Sequence, residues 1–326
     1  MEKNNKILAI ILAIILVLLG GYFGYRKMFG VQKVVVDSSE QGKKISQYAN
    51  PDAFITPYQL KQLMDKKADV VVIGALDPKK GDPAIAGSFT VWRPDYSAKE
   101  GAYPFGGMRC SVEEMEALLS KFGATPKSTI VVYASNNHHD AARLWWQIKM
   151  LGHKDVRYLD GGLNAWIGAG YPTGNANPKV TPTNYKAPNP SEELLAKFDD
   201  VVAAMNKKDA VILDVRSEDE EKGRITEKGA FGPGKIAGAQ WIEWKNALNE
   251  DTTLKSIDEL KKIYGHLEGK EIITYCQSGV RSAHTFFVLT QALGYKNVKN
   301  YDGSWIEWSY EHYQKNNPSA KIENGK

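Results

Sequence analysis

The hydrophobic positions of this chain form short β-branched runs that alternate with segments of helical period. In the second half, the run from Ile272 to Tyr275 is typical of a buried strand, and apolar residues between Ala283 and Leu293 recur at helical spacing until Gly294. A loop of small residues containing a cysteine separates the two. The pattern predicts a strand, a loop and a helix, with a thiol at the turn.

The first half shows the same alternation. Residues 57–66 read as a helix and residues 69–74 as a buried strand, while Ser111 and Glu114 have the spacing of a capping box that opens a helix through Leu119. Strands that alternate with helices predict an α/β fold. We therefore expect each half to contain a mostly parallel central sheet flanked by helices.

The second half repeats the first at a constant offset. Ala134 falls at the place of Cys276, and Leu151 falls at the place of Leu293, each 142 positions earlier. A register held without a gap indicates a duplicated domain. The chemistry differs between the copies, because the first has Ala134 in place of the cysteine and His139 in place of Arg281. We expect the first domain to be catalytically inactive.

The copies are joined by a proline-rich stretch. Five prolines fall within residues 172–190, which predicts an extended connector that wraps rather than folds. We expect the second domain to begin with a helix at Ser191 and to continue with a strand at Ala210–Asp214. The predicted segments are an anchor at 1–28, a spacer at 29–50, an inactive domain at 51–175, a linker at 176–190, a catalytic domain at 191–315 and a polar, frayed tail at 316–326.

An apolar segment near the N-terminus predicts a membrane anchor. Residues 7–25 carry no charge, and as a helix they would reach about 28 Å, close to the ~30 Å hydrocarbon core of a bilayer. We interpret the segment as one transmembrane helix, with the catalytic domains outside the cytoplasm because the preceding tail is very short. The alternative is a cleaved signal peptide and secretion, since residues 7–19 also have the length of a signal-peptide core.

Composition narrows the possible functions. A net charge of +4 over 326 residues, with no basic stripe, argues against nucleic acid as a partner. Two cysteines exclude a disulfide-rich scaffold and a cysteine-based zinc cluster, so we predict no metal site. We assign the adjacent His138 and His139 to a polar loop. Cys110, just ahead of the Ser111 cap, is expected to be structural.

The loop that follows the strand at Ile272 favours a charged sulfur. Its backbone N–H groups and the start of the next helix are electropositive, and Arg281 adds a full positive charge. Each effect stabilises the thiolate of Cys276, which predicts an acidic and nucleophilic cysteine. The alternative is a buried cysteine that only packs. His284, one turn into the helix, is expected to pack rather than to act as a base.

Four motifs in order resemble those of the rhodanese sulfurtransferases. Cys276-Gln-Ser-Gly-Val-Arg281 resembles their active-site loop, and Asp214-Val-Arg216 follows an apolar strand as in that family. Gly234-Lys-Ile-Ala-Gly-Ala239 is similar to their Gly-His-Ile-Pro-Gly-Ala element, and Tyr301-Asp-Gly-Ser-Trp305 closes the domain. The resemblance implies two tandem rhodanese-like domains and a persulfide mechanism without a cofactor.

The resemblance also implies the residues of the site. The catalytic group would be Cys276, Arg281, Asp214 and Arg216. The loop around the bound sulfur would be formed by Gln277, Ser278, Gly279 and Val280. Asp214 and Arg216 are expected to pair beneath the loop, in support as much as in catalysis.

The activity implied is transfer of a sulfane sulfur from thiosulfate or 3-mercaptopyruvate to cyanide or a thiol. Thiosulfate-type members carry basic residues where this chain has Ser278 and Glu220, and the mercaptopyruvate-type loop ends in Thr rather than Arg281. Thiosulfate is the leading expectation. A membrane-tethered module that carries persulfide without turnover remains open. A phosphatase or arsenate reductase is less favoured, because their loop is one residue longer than the six positions here.

Overall fold

The computed structural model describes residues 36–325. Asp37 and the residues after it belong to one compact unit. The segment predicted to be a membrane anchor lies outside the described residues. Between residues 36 and 325, no helix is both long enough and apolar enough to cross a bilayer.

The first half folds around five parallel strands. Its strands, of which β3 and β7 form a separate antiparallel pair, are β1 (Phe54–Ile55), β2 (Val70–Ala75), β3 (Ala84–Ile85), β4 (Phe89–Val91), β5 (Thr129–Tyr133), β6 (Val156–Leu159) and β7 (Thr173–Gly174). Its helices are α1 (Glu40–Ile45), α2 (Pro57–Asp65), α3 (Val112–Lys121), α4 (His138–Met150) and α5 (Gly162–Gly168). The sheet has the order β1-β6-β5-β2-β4, and β3 pairs with β7 outside it.

The second half has the same architecture. Its strands are β8 (Leu195–Ala196), β9 (Ala210–Asp214), β10 (Lys235–Ile236), β11 (Gln240–Trp241), β12 (Glu271–Tyr275), β13 (Val298–Tyr301) and β14 (Ile322–Glu323). Its helices are α6 (Phe198–Met205), α7 (Glu218–Glu221), α8 (Ile257–Tyr264), α9 (Val280–Phe287) and α10 (Ser304–Tyr313). The parallel sheet has the order β11-β9-β12-β13-β8, and β10 pairs with β14 antiparallel.

The repeat inferred from the sequence is present in the structure. Strands β5 and β12, helices α4 and α9, and strands β6 and β13 each start 142 positions apart. The central strands consist largely of buried β-branched and aromatic residues, which explains why periodicity located them. The predicted α/β class and the mostly parallel sheets are confirmed.

The two halves share a hydrophobic core. Helices α4 and α9 meet in it, where the rings of Trp145 and Phe287 stand edge to face with centroids 4.8 Å apart. Tyr158 from β6 also packs against Phe287, at 4.8 Å. A second cluster, on the other face of the second sheet, contains Trp305 and Trp308. The shared core fixes the first half against the helix that carries the cysteine loop.

The start of the second domain differs from the prediction. Ser191 does not begin a helix, because its hydroxyl accepts the N–H of Glu193 in a local turn, and Leu195 with Ala196 then forms the edge strand β8. Both residues of β8 are buried, so pairing with the sheet covers apolar surface that a solvent-facing helix would expose. The first helix begins later, at Phe198.

The C-terminal tail is ordered rather than frayed. Strand β14 pairs with β10, and the carbonyl of Lys321 accepts the indole N–H of Trp308 at 3.0 Å. Ala320 is buried, and its carbonyl lies 2.8 Å from the His312 ring. The polar composition of this segment did not indicate that it pairs with the domain, because most of its hydrogen bonds are made by backbone groups.

Two further expectations are corrected. The spacer at 29–50 is folded from residue 37 onward: Lys44 lies 3.1 Å from Asp160 of the first half and donates to the Leu254 carbonyl of the second. His138 and His139 are not in a polar loop but open α4, and both are buried. The connector at 172–190 packs on the first half: Thr173 and Gly174 form β7, and the Asn189 N–H donates to the Leu151 carbonyl.

Candidate active site

The loop between β12 and α9 turns its carbonyl groups outward. The carbonyls of Cys276 and Gln277 accept the N–H groups of Trp305 and Ile306, at 2.9 and 3.0 Å, at the start of α10. The carbonyl of Gly279 accepts from elsewhere, as described below. With these carbonyls engaged, the amides of Ser278 and Ser282 can donate toward the sulfur, as in an anion-binding nest.

Ser304 fixes the shape of this loop. Its hydroxyl accepts the N–H of Cys276 at 3.1 Å and of Gly279 at 2.9 Å, and it donates to the Tyr301 carbonyl at 2.7 Å. Gly279 has φ +72°, which a residue with a side chain rarely adopts, and an added Cβ would lie 2.8 Å from an Arg143 nitrogen. The glycine and the serine are therefore both needed for the turn.

The thiol of Cys276 is buried at the centre of the loop. Burial alone would raise the pKa of this thiol, but the charge of Arg281 and hydrogen bonds from Ser282 and from the Ser278 amide outweigh it and hold the pKa below its ordinary value. The Ser282 hydroxyl lies 3.5 Å from the sulfur. The site thus stabilises a thiolate, which is the nucleophilic form of cysteine.

Arg281 is held in place by a buried carboxylate. Its two terminal nitrogens lie 2.6 and 2.7 Å from the two oxygens of Glu220, a bidentate pair. Burial would raise the pKa of Glu220, but Arg281 and the Ser217 hydroxyl lower it below its usual range. Glu220 replaces a basic residue expected from the resemblance, and its partner explains why an acid is tolerated here.

Asp214 and Arg216 pair with each other in the interior. Arg216 donates to both oxygens of Asp214 and, through Nη2, to the Gly234 carbonyl at 2.9 Å. The Tyr275 hydroxyl donates to Asp214 at 2.6 Å, and the Arg216 guanidinium lies 4.8 Å from the Trp305 ring centroid. Within residues 36–325, no described hydrogen bond joins either residue to Cys276, and this geometry suits support of the loop.

The other predicted loop residues lie around the cysteine. Gln277 donates to the Lys228 carbonyl at 3.5 Å, and Val280 is the buried first residue of α9. Ser278 faces the first domain: a Cβ added at Gly107 would lie 2.7 Å from the Ser278 Cβ. The first domain therefore forms one wall of the site.

The first domain also holds the loop through Arg143. Its Nη1 donates to the Gly279 carbonyl at 3.3 Å, and its Nη2 lies 2.5 Å from Asp302 and 3.2 Å from the Gly107 carbonyl. Arg143 and Asp302 are almost fully buried. Sequence reasoning missed this arginine, since it lies in the half without the cysteine.

Two residues set aside by the sequence analysis are packed as expected. His284 lies between the rings of Trp244 and Tyr158, and burial lowers its pKa to about 3, too low for a base at neutral pH. Cys110 is buried, donates to Gln147 at 3.4 Å, and has its pKa raised to about 11 by burial. Neither residue contacts the Cys276 loop through a described hydrogen bond.

Comparison with known proteins identifies relatives of both halves. The model of the rhodanese-like domain matches residues 56–169 and 197–311. A Mycolicibacterium smegmatis protein, provisionally named a thiosulfate sulfurtransferase, is 42% identical over 60% of this chain and 73% of its own length. The sulfur carrier protein TtuD of Thermus thermophilus is 39% identical over 61% of this chain and 74% of its own. The crystal structure of YnjE superposes with a TM-score of 0.73 at 25% identity, covering 86% of this chain and 70% of YnjE.

Replacing Arg281 should raise the pKa of Cys276. In Arg281→Gln the nearest positive charge is lost, and Glu220 is left buried without its partner, which should cost about 3 kcal/mol of folding free energy. The double variant Arg281→Gln/Glu220→Gln removes both charges, so it should recover stability while the thiol pKa stays high. Iodoacetamide alkylation of Cys276 against pH, with urea denaturation, measures both effects. A pKa unchanged in either variant would contradict this account.

A methyl group at Gly107 should disturb the active-site loop from the other domain. Gly107→Ala places a Cβ against Ser278 at a residue with φ +93°, whereas Gly106→Ala, one position earlier, enters open space and serves as the control. We expect alkylation of Cys276 to change in rate by about tenfold in the first variant, given that a barrier change of ~1.4 kcal/mol is tenfold. Equal rates in the two variants would mean that this wall does not shape the site.

Proposed function

Because this chain belongs to the rhodanese-like domain family, with two tandem copies, we propose that it is a sulfurtransferase that works through a persulfide on Cys276. The observation that carries the proposal is a buried cysteine with a lowered pKa at the centre of a loop whose carbonyls point away from it. Such a loop suits an anionic sulfur, whether thiolate or persulfide.

The reaction is a double displacement. The Cys276 thiolate attacks the outer sulfur of thiosulfate, the S–S bond of the donor breaks, and sulfite leaves with the bonding electrons. Cys276 then carries a persulfide anion. Cyanide or a thiolate attacks the terminal sulfur, the Cys276 S–S bond breaks, and thiocyanate or a new persulfide departs as the thiolate is restored. Both steps balance without an oxidant or a cofactor.

The surrounding residues have separate tasks in this scheme. Arg281, fixed by Glu220, stabilises negative charge on the sulfur of Cys276. Ser282 and the Ser278 amide donate to that sulfur, while Asp214 and Arg216 keep the strand ends beneath the loop in register. The first domain has Ala134 at the cysteine position and acts as a wall and a clamp.

Thiosulfate is the proposed donor, and 3-mercaptopyruvate is the second candidate. The provisional name of the mycobacterial relative favours thiosulfate. A sulfur carrier function is the other candidate for the whole protein, in which Cys276 holds a persulfide for delivery to a partner without turnover on small acceptors. The identity of 39% to the Thermus thermophilus sulfur carrier favours it specifically.

Exposure to a donor tests the persulfide. After treatment with thiosulfate or 3-mercaptopyruvate, the intact mass of the purified chain should rise by one sulfur atom on Cys276, and cyanide should remove it. Cys276→Ser should abolish the gain, while Cys110→Ser, the matched control, should leave it intact, since the Cys110 thiol is buried and donates a hydrogen bond to Gln147. No sulfur gained from either donor would overturn the proposal. A sulfur gained but resistant to cyanide and thiols would favour the carrier function.

For location, we propose that residues 7–25 anchor the protein as a single transmembrane helix, with the two domains outside the cytoplasm. Nineteen uncharged residues flanked by Lys6 and Arg26 support it. Protease added to intact cells should cut the domains from the anchored protein and leave a cytoplasmic control protein whole. Full protection of the domains would refute this orientation, and release of a shortened chain into the medium would favour secretion after cleavage.

A further inference from the structure

The first domain presents an exposed arginine beside His139, the residue that stands at the repeat position of Arg281. Arg93 follows β4, at the start of a short 3-10 helix, and 41% of its side chain is exposed. Its Nε donates to the fully buried Asp140 at 2.7 Å, and its Nη2 lies 3.3 Å from His139 Nε2. The guanidinium is thus fixed on one side and open on the other.

A chain of contacts connects Arg93 with the active-site helix. His139, its partner, stands at the repeat position of Arg281, and its ring meets Trp244 edge to face at 4.7 Å. Trp244 in turn meets His284 of α9 at 5.2 Å. Burial would lower the pKa of Arg93, but the charges of Asp140 and of groups that include Cys276 raise it, so the arginine and the sulfur lie within electrostatic reach of each other.

The other arginines near the sulfur are already engaged. Arg281 gives both terminal nitrogens to Glu220, and Arg216 is nearly fully buried against Asp214 and the Gly234 carbonyl. Within residues 36–325, Nη1 of Arg93 makes no described hydrogen bond. Arg93 therefore keeps one edge of its guanidinium exposed and without a described hydrogen bond.

We propose that Arg93 binds the anionic group of the sulfur donor and so determines which donors reach Cys276. The ligand chemistry is an oxyanion attached to a transferable sulfur, either the sulfonate-like end of thiosulfate or the carboxylate of 3-mercaptopyruvate. In the second domain, Ser278 and Glu220 stand at the two positions where thiosulfate-type members carry basic side chains. Arg93 of the first domain would supply a cation in their place. The assignment to a donor rests on the proposed function.

Alkylation measures the anion site without any sulfur chemistry. Iodoacetate is an anion and iodoacetamide is neutral, so the ratio of their rates at Cys276 reports a nearby cation. We expect Arg93→Gln to lower this ratio about fivefold, and Arg93→Lys to retain most of it, because the effect is a charge interaction near the surface. High salt should lower the ratio of the iodoacetate rate to the iodoacetamide rate in the unmodified protein. In Arg93→Gln the same salt should lower this ratio much less. Lys127→Gln, which removes an equal charge at an exposed residue just before β5, is the control and should leave the ratio unchanged.

Donor kinetics then identify the anion. In Arg93→Gln, KM should rise for the donor whose oxyanion is bound, thiosulfate or 3-mercaptopyruvate, while kcat changes less. The double variant Arg93→Gln/Asp140→Asn removes the buried carboxylate as well, so it should fold like the parent and still show the lowered ratio. If Arg93 had only a structural role, Arg93→Gln would instead lower kcat and stability, and the double variant would restore both.

The outcomes separate the two proposals. A lowered alkylation ratio in a protein that never gains sulfur would keep the anion site and reject the sulfurtransferase. A protein that forms the persulfide, but whose ratio and KM are unchanged in Arg93→Gln, would reject the anion site and keep the sulfurtransferase.

Discussion

The carbonyl oxygen of Gly279 accepts one hydrogen bond from each domain, from Arg143 at 3.3 Å and from Asn300 at 3.0 Å. A carbonyl turned toward these donors cannot turn toward the thiol. The amides of Ser278 and Ser282 can then stabilise a negative sulfur, since a carbonyl facing the same centre would repel it. Both domains thus help to hold the backbone orientation of the loop in which the pKa of the cysteine is lowered.

This constraint explains why a domain without a nucleophile persists in the fold. Arg143 lies in α4, which packs against α9 within the shared core, so the clamp is positioned by the burial of large side chains such as Trp145 and Phe287. A buried arginine is costly unless it is paired, and Asp302 supplies the charge. Asp302 and Ser304 both belong to the Tyr301–Trp305 motif, which therefore secures the loop from two sides.

Local signals in the sequence were enough to predict the central strands, the repeat and the cysteine loop. β-branched runs such as Ile130–Tyr133 report burial directly, and the constant offset between Ala134 and Cys276 places the two domains in register. The pairing of Asp214 with Arg216 was also predictable, because the two are neighbours in sequence. Contacts across the domain boundary were not predictable from the sequence. Arg143 and Gly279 are 136 residues apart, and no composition or period links them.

The predictions for the spacer and for the C-terminal tail were wrong for a related reason. Polar residues at 37–50 and 316–326 suggest exposure, yet their backbone groups and a few side chains bond to the rest of the structure at both ends. Polarity of side chains says little about backbone hydrogen bonds, which every residue except proline can make. The same logic applies to Glu220: its type departs from the basic residue expected there, and only the fold reveals that it orients Arg281 rather than a substrate. The anion site that we propose, the exposed guanidinium of Arg93, lies instead on the first domain, which has Ala134 at the position of Cys276.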